Sequence, residues 1–240
     1  MKLVHEDWHT HIDFVENIIN VIYIENPHYY TEILSNLHLQ TDGIPGKFVL
    51  SEDNSILSFK TKVSIVDSIF TMDFSNRKIM NAIYQELQRV AIEEEYTETA
   101  EVKSRVLQYI ADLADSLPYD INVGDNLELS GLFKTAELSL ENDNDIENRI
   151  VDYACLLRDV LKIKLVIFVN LKCFLTTTQL IGIYESLLAK KIDVLLLESR
   201  QLPKIEPFEN ILVIDNDLCE LQFSSSQRND PQPSNAKFEV

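Results

Sequence analysis

Glycine is scarce in this sequence, with five glycines among 240 residues. A phosphate-binding loop needs spaced glycines followed by a lysine and a hydroxyl side chain, because its backbone N–H groups cradle phosphate and the hydroxyl reaches magnesium. The one glycine–lysine pair lies in GIPGKF, residues 43–48, where the spacing is wrong, a proline intervenes and Phe48 replaces the hydroxyl residue. We interpret this stretch as a turn and expect no ATP hydrolysis.

Cysteines and long apolar runs are also few. Cys155, Cys173 and Cys219 are widely spaced in apolar contexts, which argues against a disulfide framework and predicts reduced, buried thiols. The longest apolar runs have the length of strands and no signal peptide is recognisable, so we predict no membrane-spanning segment and a cytoplasmic protein. A core can still be built, since 45% of the residues are hydrophobic.

Positive charge is in short supply as well. Lysine and arginine number 21 against 39 aspartates and glutamates, which gives a net charge of −18. Taken alone, this balance argues against nucleic acids and anionic membranes as partners. Binding of nucleic acid would require the few cations to gather on one surface.

Three pairs of basic residues are candidates for such a surface. The first pair would share one face if its segment is extended, the second begins a predicted helix, and the third follows a predicted strand. None of the pairs is a nucleic-acid motif by itself. They are Lys60 and Lys62, Arg77 and Lys78, and Arg200 and Lys204.

Hydrophobic periodicity indicates buried strands that alternate with helices. VIYI, residues 21–24, is apolar and β-branched like a central strand, and Pro27 suits the start of the helix after it. The order returns later, where a buried strand over 165–169 precedes a capping box formed by Thr176 and Gln179. We predict an α/β fold whose parallel sheet is covered on both faces. Further strands are predicted over 1–5, 11–15, 48–50, 56–59, 136–140, 192–197 and 211–214, and residues 63–70 form either another strand or a connector.

A helical leg is predicted within this α/β body. Ser75 is the predicted N-cap of a first long helix, and a second long helix follows Glu93-Glu94-Glu95 and ends before Pro118. Two such helices joined by an acidic turn predict an antiparallel pair. A brief helix is predicted over 127–133 and a long helix over 146–161. The predicted domains are 1–75 (head, first part), 76–139 (helical leg and acidic return), 140–222 (head, second part) and 223–240 (disordered tail).

Two positions that would serve a nucleotide in such a fold are altered. The first strand-to-helix turn, Glu25-Asn26-Pro27-His28, has no glycine and no lysine, and its carboxylate would face any phosphate. Glu198 ends a buried strand like the acid of a Walker B strand, but without a phosphate loop it is one carboxylate at the end of a core strand.

Metal-ligating residues form two incomplete patterns. His9 and His11 alternate onto one face of a predicted strand near His5, but zinc needs further ligands, so a polar strand face is the favoured interpretation. A group of acids at and beyond the end of the second long helix offers oxygen ligands that suit calcium. Charge patterning alone favours a solvated acidic loop there. The acids are Asp112, Asp115, Asp120, Asp125 and Glu128.

Several stretches, taken in order, resemble the CRISPR-associated accessory protein family of type II-A spacer acquisition. The resemblance covers residues 1–222 and depends on the ordered set, since buried strands of this kind are common. IDVLLLESRQ, residues 192–201, closely matches the family's strand ending in Glu-x-Arg-Gln. The other stretches are VIYIENPHYYTEIL (21–34), VDSIFTMDFSNRKIMNAIYQEL (66–87), KLVIFVNLKCFLTTTQL (164–180) and ILVIDNDLCEL (211–221).

The resemblance implies a globular α/β head, distantly like a phosphate-loop NTPase without the loop, and a helical leg. It implies that four copies form a ring whose positively charged channel takes duplex DNA from a free end, supported by calcium. No catalytic activity is established for this bacterial family, which acts with the adaptation integrase and the effector nuclease. By this resemblance, calcium would lie near Asp120, Asp125 and Glu128, and the three basic pairs are the candidates for lining the channel.

Two other functions stay open from the sequence. One is a divergent nucleotide-binding protein that uses Glu198, which nucleotide binding in magnesium would reveal. The other is an acidic protein-interaction module, which the acidity and the leg favour. Comparing the binding of linear and closed circular duplexes would separate that module from a DNA-end binder.

Overall fold

The computed structural model describes residues 1–140 and 145–224. Within these residues the chain forms ten strands, seven α-helices and a short 3-10 helix at Leu171–Cys173. No helix in this described part is both long and apolar enough to cross a membrane. The strands are β1 (Lys2–His5), β2 (Ile12–Asp13), β3 (Ile19–Ile24), β4 (Phe48–Glu52), β5 (Ser55–Leu57), β6 (Val63–Val66), β7 (Leu165–Val169), β8 (Asp193–Glu198), β9 (Glu209–Ile214) and β10 (Glu220–Phe223). The α-helices are α1 (Pro27–Asp42), α2 (Phe59–Lys62), α3 (Arg77–Glu93), α4 (Tyr96–Asp115), α5 (Leu129–Thr135), α6 (Ile146–Asp159) and α7 (Thr177–Ala189).

A six-stranded sheet in the order β10-β9-β3-β8-β7-β6 forms the centre of the fold. The five strands from β9 to β6 run parallel, and β10 pairs antiparallel with β9 at one edge. In the register, Val21 of β3 lies between Leu196 of β8 and Ile211 of β9. The prediction of an α/β fold with a mostly parallel sheet is confirmed.

Both faces of this sheet are covered. Because successive side chains of a strand point to opposite faces, Ile19, Val21 and Tyr23 of β3 pack with α6 and α7. Ile22 and Ile24 pack on the other face with α1 and a second, antiparallel sheet in the order β2-β1-β4-β5. The sequence pattern of near-continuous apolar strands is the consequence of this two-sided burial.

The helices α3, α4 and α5 lie in the crossover between the neighbouring strands β6 and β7. α3 contacts both α4 and α5, and the two long helices are separated by Glu94 and Glu95. The two core clusters draw their residues from 1–74 and 140–214, outside these helices. The two long helices of the predicted leg are therefore present, whereas the domain boundaries stay a prediction.

Some local predictions are wrong. Residues 136–140 form no strand in the structure, because α5 ends at Thr135, Ala136 caps it and Glu137 has the left-handed φ of 51°. The edge strand β10 was not predicted, since its side chains are mostly exposed and lack an apolar pattern. All three cysteines are free, but Cys173 and Cys219 are exposed rather than buried. Most of the predicted disordered tail, residues 225–240, lies outside the described residues.

Candidate nucleic-acid interface

A groove of about 690 Å³ opens beside the edge strand β6. It lies at the amino ends of β6 and β7, since Val63 and Ile163 line it. We call it the basic groove, because Lys60, Arg77 and Lys78 also line it. Residues from two of the three predicted basic pairs thus line one surface, although the strand β6 separates these pairs along the chain.

Lys60 reaches the groove from a single helical turn. Phe59, the first residue of α2, is buried in the core cluster beneath α1 and anchors the turn. A Cβ atom at position 43 would lie 3.0 Å from Cδ of Lys60, and Gly43 itself has a φ of +97°. Glycine at position 43 therefore serves twice, as the left-handed end of α1 and as the space for the Lys60 side chain.

The condition under which Lys60 and Lys62 would share a strand face, an extended segment, is not met. The segment is helical rather than extended, so the two side chains do not share a face through strand alternation. Lys62 Nζ instead donates to the backbone carbonyl of Lys162, at 3.3 Å. Lys60 is the member of the pair that lines the groove.

Arg77 and Lys78 reach the groove from the first turn of α3. Asn76 is the N-cap, and its Oδ1 accepts the N–H groups of Lys78 and Ile79 at 3.1 and 3.0 Å. Ser75, the predicted cap, instead donates its backbone N–H to Asp73 Oδ1. Since Ile79 is fully buried, the helix start is fixed while its two cations remain exposed.

These three cations have no ion-pair partner among the described residues. Within residues 1–140 and 145–224, Lys60, Arg77 and Lys78 form no ion pair within 4.0 Å. Other cations of the described residues differ in this respect. Arg89 contacts three glutamates, and Lys47 contacts Asp7 and Glu32, whereas Lys103 and Arg105 have no ion pair with a described residue either. What distinguishes the basic groove is that three such cations line one surface.

The third basic pair lies elsewhere. Arg200 and Lys204 follow β8 and belong to the carboxyl side of the sheet, whereas the groove lies at the amino side. Lys204 Nζ contacts Glu206 Oε1 at 2.7 Å and donates to the carbonyl of Ser224. Arg200 is exposed. The structure therefore does not bring this pair to the basic groove.

The predicted calcium residues are not assembled into a site. Asp120, Asp125 and Glu128 are exposed on the return from α4 to α5. In the part of the chain that the structure describes, no group of three histidine, cysteine, aspartate or glutamate side chains is placed to hold a metal ion. The described residues of one copy thus assemble no metal site at the calcium candidates or at His9 and His11, and calcium binding stays a prediction.

The first strand-to-helix turn is closed by its own side chains. Asn26 Oδ1 accepts the N–H groups of His28 and Tyr29, which are the donors that a phosphate would use at this helix start. Glu25 accepts a hydrogen bond from Gln201 at 2.9 Å and contacts Asn216 at 3.5 Å. The turn that carries phosphate in nucleotide-binding proteins of this architecture is here occupied by protein groups.

A buried charged network under α7 escaped the sequence analysis. Lys172 Nζ contacts both carboxylate oxygens of Glu209, at 2.8 and 3.0 Å, and donates to Tyr23 Oη and the Pro203 carbonyl. Glu209 also accepts the Tyr184 hydroxyl, at 2.7 Å. The three donors of the ammonium group are thus satisfied. A lysine and a glutamate inside apolar runs are the signal that could have indicated the pair.

Glu198 lies beside this network without a cation on its carboxylate. It is fully buried, and Oε1 accepts the backbone N–H of Lys172 at 2.9 Å. Burial raises the pKa of Glu198 to about 7, and the Lys172 hydrogen bond opposes that change. Cys173 Sγ lies 4.0 Å from Oε2. Glu198 is therefore a buried carboxyl at the end of a core strand, as the sequence indicated.

Comparison with known proteins gives a family and a weak likeness of fold. The model of the family described as CRISPR-associated protein (Cas_Csn2) matches residues 40–218, more than half of the chain. None of the curated proteins matches. A bacterial Atm1-family ABC exporter with ATP bound has a TM-score of 0.44 and 16% identity, over 93% of this chain and 38% of the exporter chain. The ATP-binding cassette MJ0796, in a dimeric post-hydrolysis state with ADP and Pi, has a TM-score of 0.43 and 10% identity, over 91% and 90% of the two chains.

Proposed function

The chain belongs to the CRISPR-associated protein (Cas_Csn2) family, the accessory family of type II-A spacer acquisition, and from this premise we propose that it is a non-catalytic, ring-forming protein that binds the ends of double-stranded DNA. In this proposal four copies surround the duplex and hold it through its phosphates. The DNA is then presented to the integrase and the effector nuclease of CRISPR adaptation.

The observation that carries the proposal is the basic groove. A chain with a net charge of −18 has carboxylates in ample supply, yet Lys60, Arg77 and Lys78 form no ion pair with any described residue. Exposed cations that line one surface repel one another weakly in water and together form a positive surface that favours an anion. The phosphate backbone of DNA is an anion of the required extent.

Binding of this kind would not depend on base sequence. Lysine and arginine side chains contact phosphates as charges, and such contacts position a duplex without reading it. The expected signature is an affinity that falls steeply with salt, because each neutralised phosphate releases counterions. The acidic remainder of the surface would confine DNA to the groove side of the molecule.

The closed strand-to-helix turn supports the non-catalytic part of the proposal. A nucleotide at the start of α1 would have to displace Asn26 from the N–H groups of His28 and Tyr29. Its phosphates would also meet the carboxylate of Glu25, which the side chain of Gln201 holds in place. Repulsion between this carboxylate and phosphate opposes nucleotide binding.

The helical leg supports the ring. On α4, Tyr109 is 64% exposed and Leu113 is 50% exposed, and Leu117 and Tyr119 continue the apolar surface beyond the helix end. A contiguous apolar surface of this kind is costly in water and is usually covered by a partner. We infer that a second copy covers it, since ring formation requires contacts between copies. Light scattering that gives a monomer at micromolar concentration would contradict this inference.

Calcium is part of the proposal only as an ion shared between copies. One copy does not assemble enough ligands in its described residues, whereas calcium takes about six to eight oxygens. Asp120, Asp125 and Glu128 are exposed and could contribute oxygens at a contact between copies. No step of DNA binding is assigned to the ion.

A mobility-shift experiment tests the function. The protein is mixed with one duplex in linear and in closed circular form, at low salt with calcium present. Binding of the linear form alone supports a ring that is entered from an end, and equal binding of both forms contradicts threading. If neither form binds, the DNA-binding proposal is rejected and a protein-interaction module takes its place.

A further inference from the structure

The basic groove has the size of a site for a small ligand. Its volume of about 690 Å³ is partly open to solvent and lies within the range of about 300–1,000 Å³ typical of such sites. A groove of this size can admit the phosphate group at the end of a DNA strand.

The charge of the groove suits a terminal phosphate. Lys60, Arg77 and Lys78 face a single lining carboxylate among the described residues, that of Asp42. The excess of two positive charges matches a phosphomonoester, which carries about −1.5 to −2 near neutral pH, better than the single charge of an internal phosphodiester. His38 also lines the groove, but its Nε2 is 2.9 Å from Asp67.

The position of two cations points to an anion at the same place. Arg77 and Lys78 occupy the first turn of α3, which contains no acidic residue. The N–H groups of Lys78 and Ile79 are already accepted by Asn76 Oδ1, so an anion here would be held by side chains rather than by the helix N-terminus. A phosphate among the side chains of Lys60, Arg77 and Lys78 would offset the repulsion between them.

The remaining lining suits the nucleotide that carries the phosphate. Tyr153 is half-buried and contributes aromatic surface, whereas Leu157 and Ile163 are core residues with 2% and 8% of their surface exposed. The Tyr153 ring is held by Phe74, at a centroid distance of 5.1 Å. An aromatic ring can contact a sugar or a base face without selecting a sequence.

We propose that the basic groove is an end-recognition pocket that binds the terminal 5′-phosphate of a DNA strand together with its nucleotide. This inference rests on the proposed function and adds to it that the end itself is recognised by its phosphomonoester. Preference for ends then has a chemical origin in each copy, besides the threading of a ring.

The first test compares one blunt linear duplex with 5′-phosphate ends and with 5′-hydroxyl ends. The phosphorylated duplex should bind about five- to tenfold more tightly, as expected for a charge-assisted contact to arginine and lysine. Equal affinity of the two duplexes overturns the end-recognition pocket and leaves the proposed function intact. Absence of binding to both duplexes rejects the proposed function and the pocket together.

The second test replaces two cations of the basic groove in one variant and two cations outside it in a control. The double variant Arg77→Gln with Lys78→Gln should bind the two duplexes equally. The matched control, Lys103→Gln with Arg105→Gln, makes the same change of net charge on α4 and should keep the wild-type ratio of affinities. A groove variant that keeps this ratio overturns the proposal. Thermal melts of both variants check that they fold.

A third measurement uses a free deoxynucleoside 5′-monophosphate as competitor. It should displace the phosphorylated duplex at concentrations at which the corresponding nucleoside does not, because the nucleoside lacks the phosphomonoester. Equal effects of the two competitors contradict the pocket.

Discussion

Two groups of cations in this protein differ in nearly every physical respect. Lys172 is buried beneath α7, with 2% of its side chain exposed, and contacts a glutamate, a tyrosine and a carbonyl. Lys60, Arg77 and Lys78 are exposed around the basic groove and form no ion pair with a described residue. The charge of the first group is satisfied within the chain, whereas the charges of the second group face solvent.

The difference separates structural charges from candidate functional ones. A buried lysine must be paired, because an isolated ammonium in a low-dielectric interior is costly. An exposed lysine can remain unpaired at little cost, since water solvates it. The lack of an ion pair therefore says little by itself, and what singles out Lys60, Arg77 and Lys78 is that all three line one groove.

The largest effect is expected where the buried cation is removed. Lys172→Met leaves the Glu209 carboxylate buried and unpaired, which should lower the free energy of unfolding by about 3–5 kcal/mol. The same substitution in the groove, Lys60→Met, should change it by no more than about 0.5 kcal/mol. Urea denaturation of both variants measures the contrast. Similar losses in the two variants would erase the distinction between the groups.

Glu198 sharpens the comparison because it is a buried charge beside the network without an ion pair in the described residues. Its pKa is about 7 in the folded protein, above the ordinary value of 4.5. The folded state therefore binds the proton more tightly. The contribution of Glu198 to stability is fully present below pH 4.5 and is lost as the pH rises through 7.

The variant Glu198→Gln isolates this pH dependence. Glutamine keeps an acceptor for the Lys172 N–H but has no proton to lose. The free energy of unfolding of the wild type, relative to the variant, should fall by about 2–3 kcal/mol between pH 5 and pH 8. Denaturation curves of both proteins across this range measure the difference. A constant difference would mean that Glu198 stays ionised in the folded protein.

Charge reversal in the groove should change binding and leave stability nearly intact. Lys60→Glu with Arg77→Glu should weaken binding to all duplexes at least tenfold, or about 1.4 kcal/mol. The slope of a plot of log affinity against log salt concentration should become shallower by about two. Each phosphate that the variant no longer neutralises accounts for about one of these.

The matched control for charge reversal is Lys103→Glu with Arg105→Glu on α4, titrated against the same duplex over a range of salt. A control that loses as much affinity and slope as the groove variant would show that net charge, rather than the groove, governs binding.

Much of the fold could be predicted because its signals are local. The apolar, β-branched stretch around β3 and the capping box at Thr176 and Gln179 specify their elements through neighbouring residues, and both predictions hold. The strand β10 escaped prediction because pairing with β9, rather than an apolar pattern, makes it a strand. The turn at α2 escaped because burial of Phe59 in the core favours it.

The residues of the candidate site could be predicted from the sequence, but their proximity in the fold could not. The sequence identified Lys60, Arg77 and Lys78 as basic residues but could not place them together, since that depends on how the chain passes through β6. It also could not pair Lys172 with Glu209, which lie 37 residues apart. Proximity of this kind is a product of sheet order, and no periodicity in the sequence encodes it.

The smallest effect is expected from calcium. Millimolar calcium should raise the melting temperature by a few degrees relative to chelator and more than magnesium does, because flexible carboxylates suit calcium's irregular coordination. One copy assembles no metal site in its described residues, so the ion should act between copies. The shift should then grow with protein concentration, since binding and assembly are linked. Differential scanning fluorimetry at several protein concentrations measures this dependence. A shift that is equal at all concentrations would place the ion within one copy, and equal melting temperatures in calcium and in chelator would remove calcium from the proposal.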